Sequence, residues 1–203
     1  MNFIFCKKRF LIMMTGIVGM GIFLSLLLQV NYGTDTCSFM NSSLSKYFGI
    51  SFGITMICTN LIFFIPELIW GRKFLGWGTI ANMTFIGLIS DFCTMIENKF
   101  IPAEIFQHTI YRPVIFAAAL IPFLFSVALY INADMGQAPY DSIPAIISER
   151  VHLPFTPVRI SWDILVVIIG IVAGGQLTIA TVILAFTIGP AVTIIGRYIK
   201  TDP

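Results

Sequence analysis

The stretch FLIMMTGIVGMGIFLSLLLQV, residues 10–30, contains no ionisable side chain and runs into Asn31-Tyr32-Gly33-Thr34-Asp35. As an α-helix rising 1.5 Å per residue it reaches roughly 30 Å, the thickness of the hydrocarbon core of a bilayer. Lys7, Lys8 and Arg9 precede it, an arrangement that also opens secretory signals. A signal core is about 7 to 15 residues long and closes on a small-residue cleavage site. This run is longer and ends in Gln29-Val30-Asn31-Tyr32, so it is expected to be a retained first span.

Five more apolar runs follow, at Ser51–Trp70, Leu75–Ile96, Pro113–Ile131, Val158–Gly174 and Leu177–Ile199. The last two are separated only by Gly174-Gly175-Gln176, but joined they exceed one crossing, so a tight hairpin is expected between them. The expected fold is an all-α, six-span transmembrane bundle forming one membrane domain over residues 1–203. Composition points the same way. The 203 residues are 57% hydrophobic and 11% charged, with a mean hydropathy of +0.91, whereas a soluble domain carries about 25% charged residues. The net charge of +2 is too small, and its cations too scattered, for a nucleic-acid surface.

With six crossings and a cytoplasmic amino terminus, one side receives Lys7, Lys8, Arg9, Arg72, Lys73, Arg150, Arg159, Arg197 and Lys200, and the other Lys46, Lys99 and Arg112. Nine cations against three is a positive-inside bias, so both termini are expected in the cytoplasm. Trp70 and Trp77 flank Arg72 and Lys73, where indoles suit the headgroup layer.

Two connections are more than loops. Asn31–Asp35 leads into Thr36–Phe48, and Asn132–Pro139 leads into Tyr140–Val151. Each is a polar turn with glycine followed by about three helical turns of mixed polarity, which predicts a short helix in the interface or dipping into the bilayer. Asp35 and Asp141 fall near the starts of these helices, where a carboxylate can accept backbone hydrogen bonds.

The same order of elements occurs twice. An offset of 103 pairs Asn31 with Asp134, Gly33 with Gly136, Ser45 with Ser148, Phe52 with Phe155 and Asn60 with Asp163; an offset of 102 then pairs Thr79 with Thr181 and Gly87 with Gly189. Units of about 10–96 and 113–199, each with three crossings, would enter the membrane from opposite sides, which predicts an inverted repeat.

Tyr32-Gly33-Thr34-Asp35, Gly49-Ile50-Ser51-Phe52-Gly53, and Leu75-Gly76-Trp77-Gly78-Thr79-Ile80-Ala81-Asn82 leading to Ile86-Gly87-Leu88-Ile89-Ser90-Asp91 resemble the YczE/YitT-like family of bacterial integral membrane proteins, its YczE branch in particular. Thr36 stands where the family pattern has proline. The resemblance covers nearly the whole chain. It implies a multi-pass protein of the bacterial plasma (inner) membrane and supplies no biochemical activity.

Charged groups near a bilayer centre cost about 2.5–3.5 kcal/mol on insertion scales, so those retained need partners or a purpose. Asp163 lies one turn beyond Arg159 and can pair with it, or face its repeat mate Asn60 near the repeat interface, where such transporters bind solute. Glu67 is expected to reach Arg72 or Lys73, and Asp91 to act at a helix end. Asn82, Thr79 and Thr181 read first as interhelical hydrogen-bonding residues. The candidate solute- or ion-binding residues are thus Asn60, Asp163, Asp35, Asp141 and Asn82. Cys6, Cys37, Cys58 and Cys93 have no paired spacing and are read as small apolar residues. No phosphate loop, nucleophile elbow or zinc-binding motif occurs, so no catalytic residue, metal or cofactor is expected and an enzyme is disfavoured. Two readings remain: a small-solute or ion transporter, or a non-transporting membrane protein that binds or regulates partners. Substrate and oligomeric state are not written in the sequence; the lipid bilayer is the partner it does imply.

Overall fold

A computed structural model describes residues 7–198; Cys6, Ile199, Lys200 and the side chain of Arg197 lie outside what it describes. The helices are α1 (Lys7–Val30), α2 (Thr36–Phe48), α3 (Phe52–Trp70), α4 (Trp77–Phe100), α5 (Ala103–Gln107), α6 (Tyr111–Asn132), α7 (Pro139–Val151), α8 (Phe155–Val172) and α9 (Ile179–Tyr198). Six of these, α1, α3, α4, α6, α8 and α9, are long and apolar enough to cross a membrane. The break before α9 is real: Gly174 turns at a φ of 84°, a conformation that glycine adopts without steric cost.

The ends of these six helices define two faces. On the first face, where α1 begins, Arg9 lies 4.0 Å from Asp134, Lys73 pairs with Glu149, and Gly78 N–H donates to Met135 O at 2.7 Å. On the second face, Arg112 donates to Val30 O at 2.9 Å and to Asn31 O at 2.6 Å, and Thr34 N–H donates to Thr181 Oγ1 at 3.3 Å.

α1 packs on α6 and α4 around Met13, Ile17, Leu24, Leu27, Ile86 and Phe123. Without a hydrophobic drive between helices in lipid, close backbone approach matters. A Cβ at Gly16 would lie 2.8 Å from Ser126 O, and one at Gly19 would lie 2.3 Å from Ser126 Oγ. Glycine is therefore required along this seam. α3 and α4 meet in the same way, a Cβ on Gly87 falling 2.7 Å from Gly53 Cα.

α2 and α7 have 13 residues each, about 20 Å, too short to span. α2 packs on α8: Thr36 touches Asp163 midway along α8, Phe39 meets Gly170, and Ser43 meets Gly175 at the end of that span. α7 packs on α3: the Tyr140 ring lies 6.1 Å from that of Phe63, and Ile146 meets Gly71 at the end of α3. Both short helices therefore enter the bundle rather than lying along its surface. α2 runs from the interior to the second face and α7 from the interior to the first, so their amino-terminal ends point at one another.

The turns that place them repeat in detail. Asn31 and Asp134 have φ of 48° and 49°, and Gly33 and Gly136 have φ of 153° and 113°. α2 and α7 each end on a left-handed residue, Gly49 and His152. Ser45 Oγ donates to Ile50 O at 2.7 Å and Ser148 Oγ to Leu153 O at 2.7 Å. The starts differ. Asp35 caps α2, accepting from Ser38 N–H at 3.0 Å, whereas α7 begins at Ala138 with no side-chain cap. The expectation that Asp141 accepts backbone hydrogen bonds there is corrected: its carboxylate turns to Arg159 instead. Pro139 supplies the pre-set φ that suits a first helical residue.

Candidate functional site

The two half-helix starts meet on α8. Thr36 Oγ1 at 3.0 Å and Tyr140 OH at 2.5 Å converge on Asp163 Oδ1. Arg159 Nε donates to Asp163 Oδ2 at 3.0 Å while its Nη1 donates to Asp141 Oδ1 at 2.7 Å. The guanidinium also lies over the Tyr140 ring, 5.2 Å from its centre. One cation thus holds a carboxylate from α7 and another from its own helix. Thr36 occupies the first position of α2 as Pro139 does of α7, and its departure from proline supplies one of the hydroxyls.

Three polar atoms beside this network have no partner among the described residues: Asp35 Oδ1, Asn60 Nδ2 and Trp162 Nε1, whose ring packs on that of Tyr140. Outside the six spans, burial lifts the Asp35 carboxyl above its ordinary value, and hydrogen bonding to Ser38 offsets part of that shift.

A cavity of about 1570 Å³ opens beside these groups and is lined by Asp35, Asn60, Asn82, Asp141 and Asp163 together with Arg159. Its walls follow α8 from Phe155 to Ile168 and α9 from Thr181 to Gly196, running from Lys73, Asp134 and Gln137 at the first face to Leu177 and Thr181 toward the second. The cavity exists because α9 packs on α6 rather than along α8. In the other half, α4 packs against α3 through Gly87, while Gly189, the counterpart of Gly87, has nothing within 4 Å.

Over residues 7–197 the chain matches the model of a family of unknown function, DUF6198. The chain belongs to that family. It is 31% identical over 118 residues to an uncharacterised protein of Haemophilus influenzae, a match covering 58% of this chain and 51% of the relative. It is 24% identical over 148 residues to the uncharacterised membrane protein YczE of Bacillus subtilis, covering 72% of this chain and 66% of YczE. The matched regions are between half and two thirds of the length of these curated relatives. No solved structure matches. The chain is a multi-pass membrane protein of a YczE-like family.

In this DUF6198 member all five expected site residues line one cavity, but they are not joined as expected. Asp163 bonds Arg159, Thr36 and Tyr140, so the Arg159 pair and an inward-facing carboxylate are both realised, and Asn60 Nδ2 stays apart. Arg159 therefore faces the bundle interior from α8. Asp91 works at a helix end, accepting from Gly53 N–H at the start of α3 at 2.9 Å.

Glu67 corrects the sequence reading. It is 0% exposed and neither carboxyl oxygen has a partner. Arg72 donates instead to Leu68 O and Lys73 pairs with Glu149. A signal was available: Gly53, Asn60 and Glu67 recur at seven-residue intervals and share one face of α3. That face is the buried one. Nothing comparable announced Tyr140 or Thr36, whose roles depend on two segments far apart in the chain meeting inside the bundle.

Proposed function

We propose that the chain is a transporter of small solutes or ions, not an enzyme, with the cavity between α8 and α9 as its binding chamber. The observation that carries this reading is the Asp35, Asp141, Arg159 and Asp163 cluster where two helix starts face each other beside that cavity. Each helix start presents roughly half a positive charge and free N–H groups. Buried charges cost several kcal/mol and are often no more stabilising than apolar packing. Their retention at mid-span therefore points to a purpose other than stability.

We further read the chain as two inverted units, about 10–96 and 113–199, related by a pseudo-two-fold axis in the membrane plane. Support comes from the repeated turn geometry and from reciprocal packing: α2 on α8 and α7 on α3, α4 on α1 and α9 on α6. In such transporters access alternates as one unit rearranges against the other. The closed α3/α4 seam and the open α8/α9 gap are the two arrangements that an exchange would interconvert. The positive-inside bias supports both termini in the cytoplasm, and the likeness to the Bacillus subtilis membrane protein YczE supports a bacterial inner-membrane location. The first face is then cytoplasmic, and the cavity runs from it along α8 and α9.

The test is flux. Purified protein in proteoliposomes is assayed against a panel of labelled inorganic cations, anions, amino acids and amines, beside Asp163→Asn and protein-free vesicles. Saturable flux that the variant loses while retaining its helical content is expected. Flux no greater than that of empty vesicles for every solute would sink transport and favour the partner-binding role.

A further inference from the structure

Among the described residues, Glu67 is the carboxylate with both oxygens buried and unpartnered, and the solute site does not use it. It lies on the face of α3 that α7 covers, one turn before Gly71, where Ile146 of α7 packs. An ionised carboxylate with no cation and no donor is among the costliest groups to bury. The neutral acid needs only one acceptor for its O–H. Ser142 of α7 neighbours Glu67, and its hydroxyl donates to Pro139 O at 2.9 Å. That hydroxyl brings Glu67 at most one hydrogen bond and no compensating charge. The environment therefore matches a carboxylic acid.

The charged surroundings agree. α7 contributes Asp141, and α6 the Tyr130 hydroxyl, which points to Gly136 O at 3.1 Å. Farther along α7, Glu149 and Arg150 are engaged with Lys73 and the Trp70 ring. α4 carries its acids, Asp91 and Glu97, in its second half, bound to Gly53 N–H and to Ser25. α2 has Asp35 at its start and Lys46 in its last turn. No cation approaches Glu67 from any of these helices among the described residues.

We propose that Glu67 is a proton-binding site, protonated while α7 is packed on α3 and releasing its proton to water at the first face when α7 separates. On separation the carboxyl O–H bond breaks, the proton binds a water molecule to give hydronium, and the electron pair stays on the carboxylate, which is hydrated. Because the proton is held only in the packed arrangement, low pH favours packing and rising pH favours opening. Linkage fixes the slope. Where the open form is ionised and the packed form is not, the opening constant rises tenfold per pH unit. If the chain transports, this motion of α7 beside Asp141 couples protons to solute. That step rests on the transport reading; the protonation itself does not.

The experiment uses the full chain in lipid vesicles, unlabelled and with ¹³C-glutamate, which reports only Glu67, Glu97, Glu104 and Glu149. Infrared spectra at neutral pH should show a protonated-carboxyl stretch that shifts with the glutamate label and is lost in Glu67→Gln. Hydrogen exchange of residues 139–151, corrected for the intrinsic rate, should show α7 opening about tenfold more for each pH unit in the parent chain. Glu67→Gln should show no such slope. The isotope shift is read in the unaltered chain, so a variant that fails to fold does not remove the answer. A spectrum with only ionised glutamate at neutral pH overturns the proposal, and so does α7 opening that ignores pH. Band and slope present in a chain that moves no solute would uphold the proton site and sink the transport reading.

Discussion

Arg159 offers the sharpest test of the central geometry, because two carboxylates depend on it to different degrees. Replacing it by methionine strands Asp163, whose side chain is 13% exposed, whereas Asp141 at 46% can hydrate. Removing one partner of a buried pair costs about 3–5 kcal/mol. The two hydroxyls still on Asp163 and the adjacent cavity place Arg159→Met at the low end, about 3 kcal/mol. Asp163→Asn keeps one oxygen for Thr36 and Tyr140 but turns amide hydrogens toward Arg159 Nε–H. Losing one charge-assisted hydrogen bond costs about 2 kcal/mol, and Asp141 continues to neutralise the guanidinium. Asp141→Asn, being half exposed, costs about 1 kcal/mol after solvent screening. The double change Arg159→Met with Asp163→Asn leaves no unpaired charge on α8. It should cost about 2 kcal/mol rather than the sum of its parts, a coupling of about 3 kcal/mol. Unfolding in detergent followed by circular dichroism reads all four variants. Additive costs, or an Arg159→Met chain no weaker than Asp141→Asn, would show that Arg159 and Asp163 do not depend on each other.

Asp35→Asn should keep the cap on α2 and stay within about 0.5 kcal/mol of the parent, while Asp35→Ala costs about 1 kcal/mol; equal losses in thermal unfolding would deny the cap. Gly87→Ala should part α3 from α4 and destabilise, since its Cβ would sit 2.7 Å from Gly53 Cα. Gly189→Ala meets nothing within 4 Å and should gain up to about 1 kcal/mol from helix propensity. Equal destabilisation by both changes would mean that α8 and α9 close as tightly as α3 and α4. Cysteines placed in residues 99–107 should react with a membrane-impermeant maleimide from outside intact cells and those at residues 72–73 should not; the reverse pattern inverts the proposed topology.

What the sequence made legible was whatever local composition determines. Span lengths follow from apolar runs, and the start of α2 follows from Asp35 and its preceding glycine turn, so the helix Thr36–Phe48 was readable to the residue. The depth of α2 and α7 was not. A helix of mixed polarity suits a headgroup layer as well as a half-buried slot, and only its partners decide between them. Glu67 fails for a related reason: proximity in sequence to Arg72 and Lys73 suggested a partner, while the seven-residue spacing from Asn60 pointed to the buried face. Tertiary packing outweighed the local pairing, as buried faces usually do.

The difference between the α3/α4 and α8/α9 pairs has a physical cause in the residues at matching positions of α3 and α8. Where α3 has Gly53, Met56 and Asn60, the 103-residue offset puts Thr156, Arg159 and Asp163 on α8. On α3 the glycine and the apolar side chain let α4 close, Met56 Cβ lying 3.2 Å from a Cβ built on Gly87. An α9 brought equally close to α8 would press Leu184 and Val192, the buried apolar residues of its inward side, against a guanidinium and a carboxylate. The charges instead find partners on the half-helices, Asp141 and Tyr140 of α7 and Thr36 of α2, and α9 packs on α6. The gap is thus the cost of placing ions on α8. On the transport reading proposed above, closing it would require either that a bound solute shield Arg159 and Asp163 or that α8 turn them away, and the first would make solute binding and closure a single event.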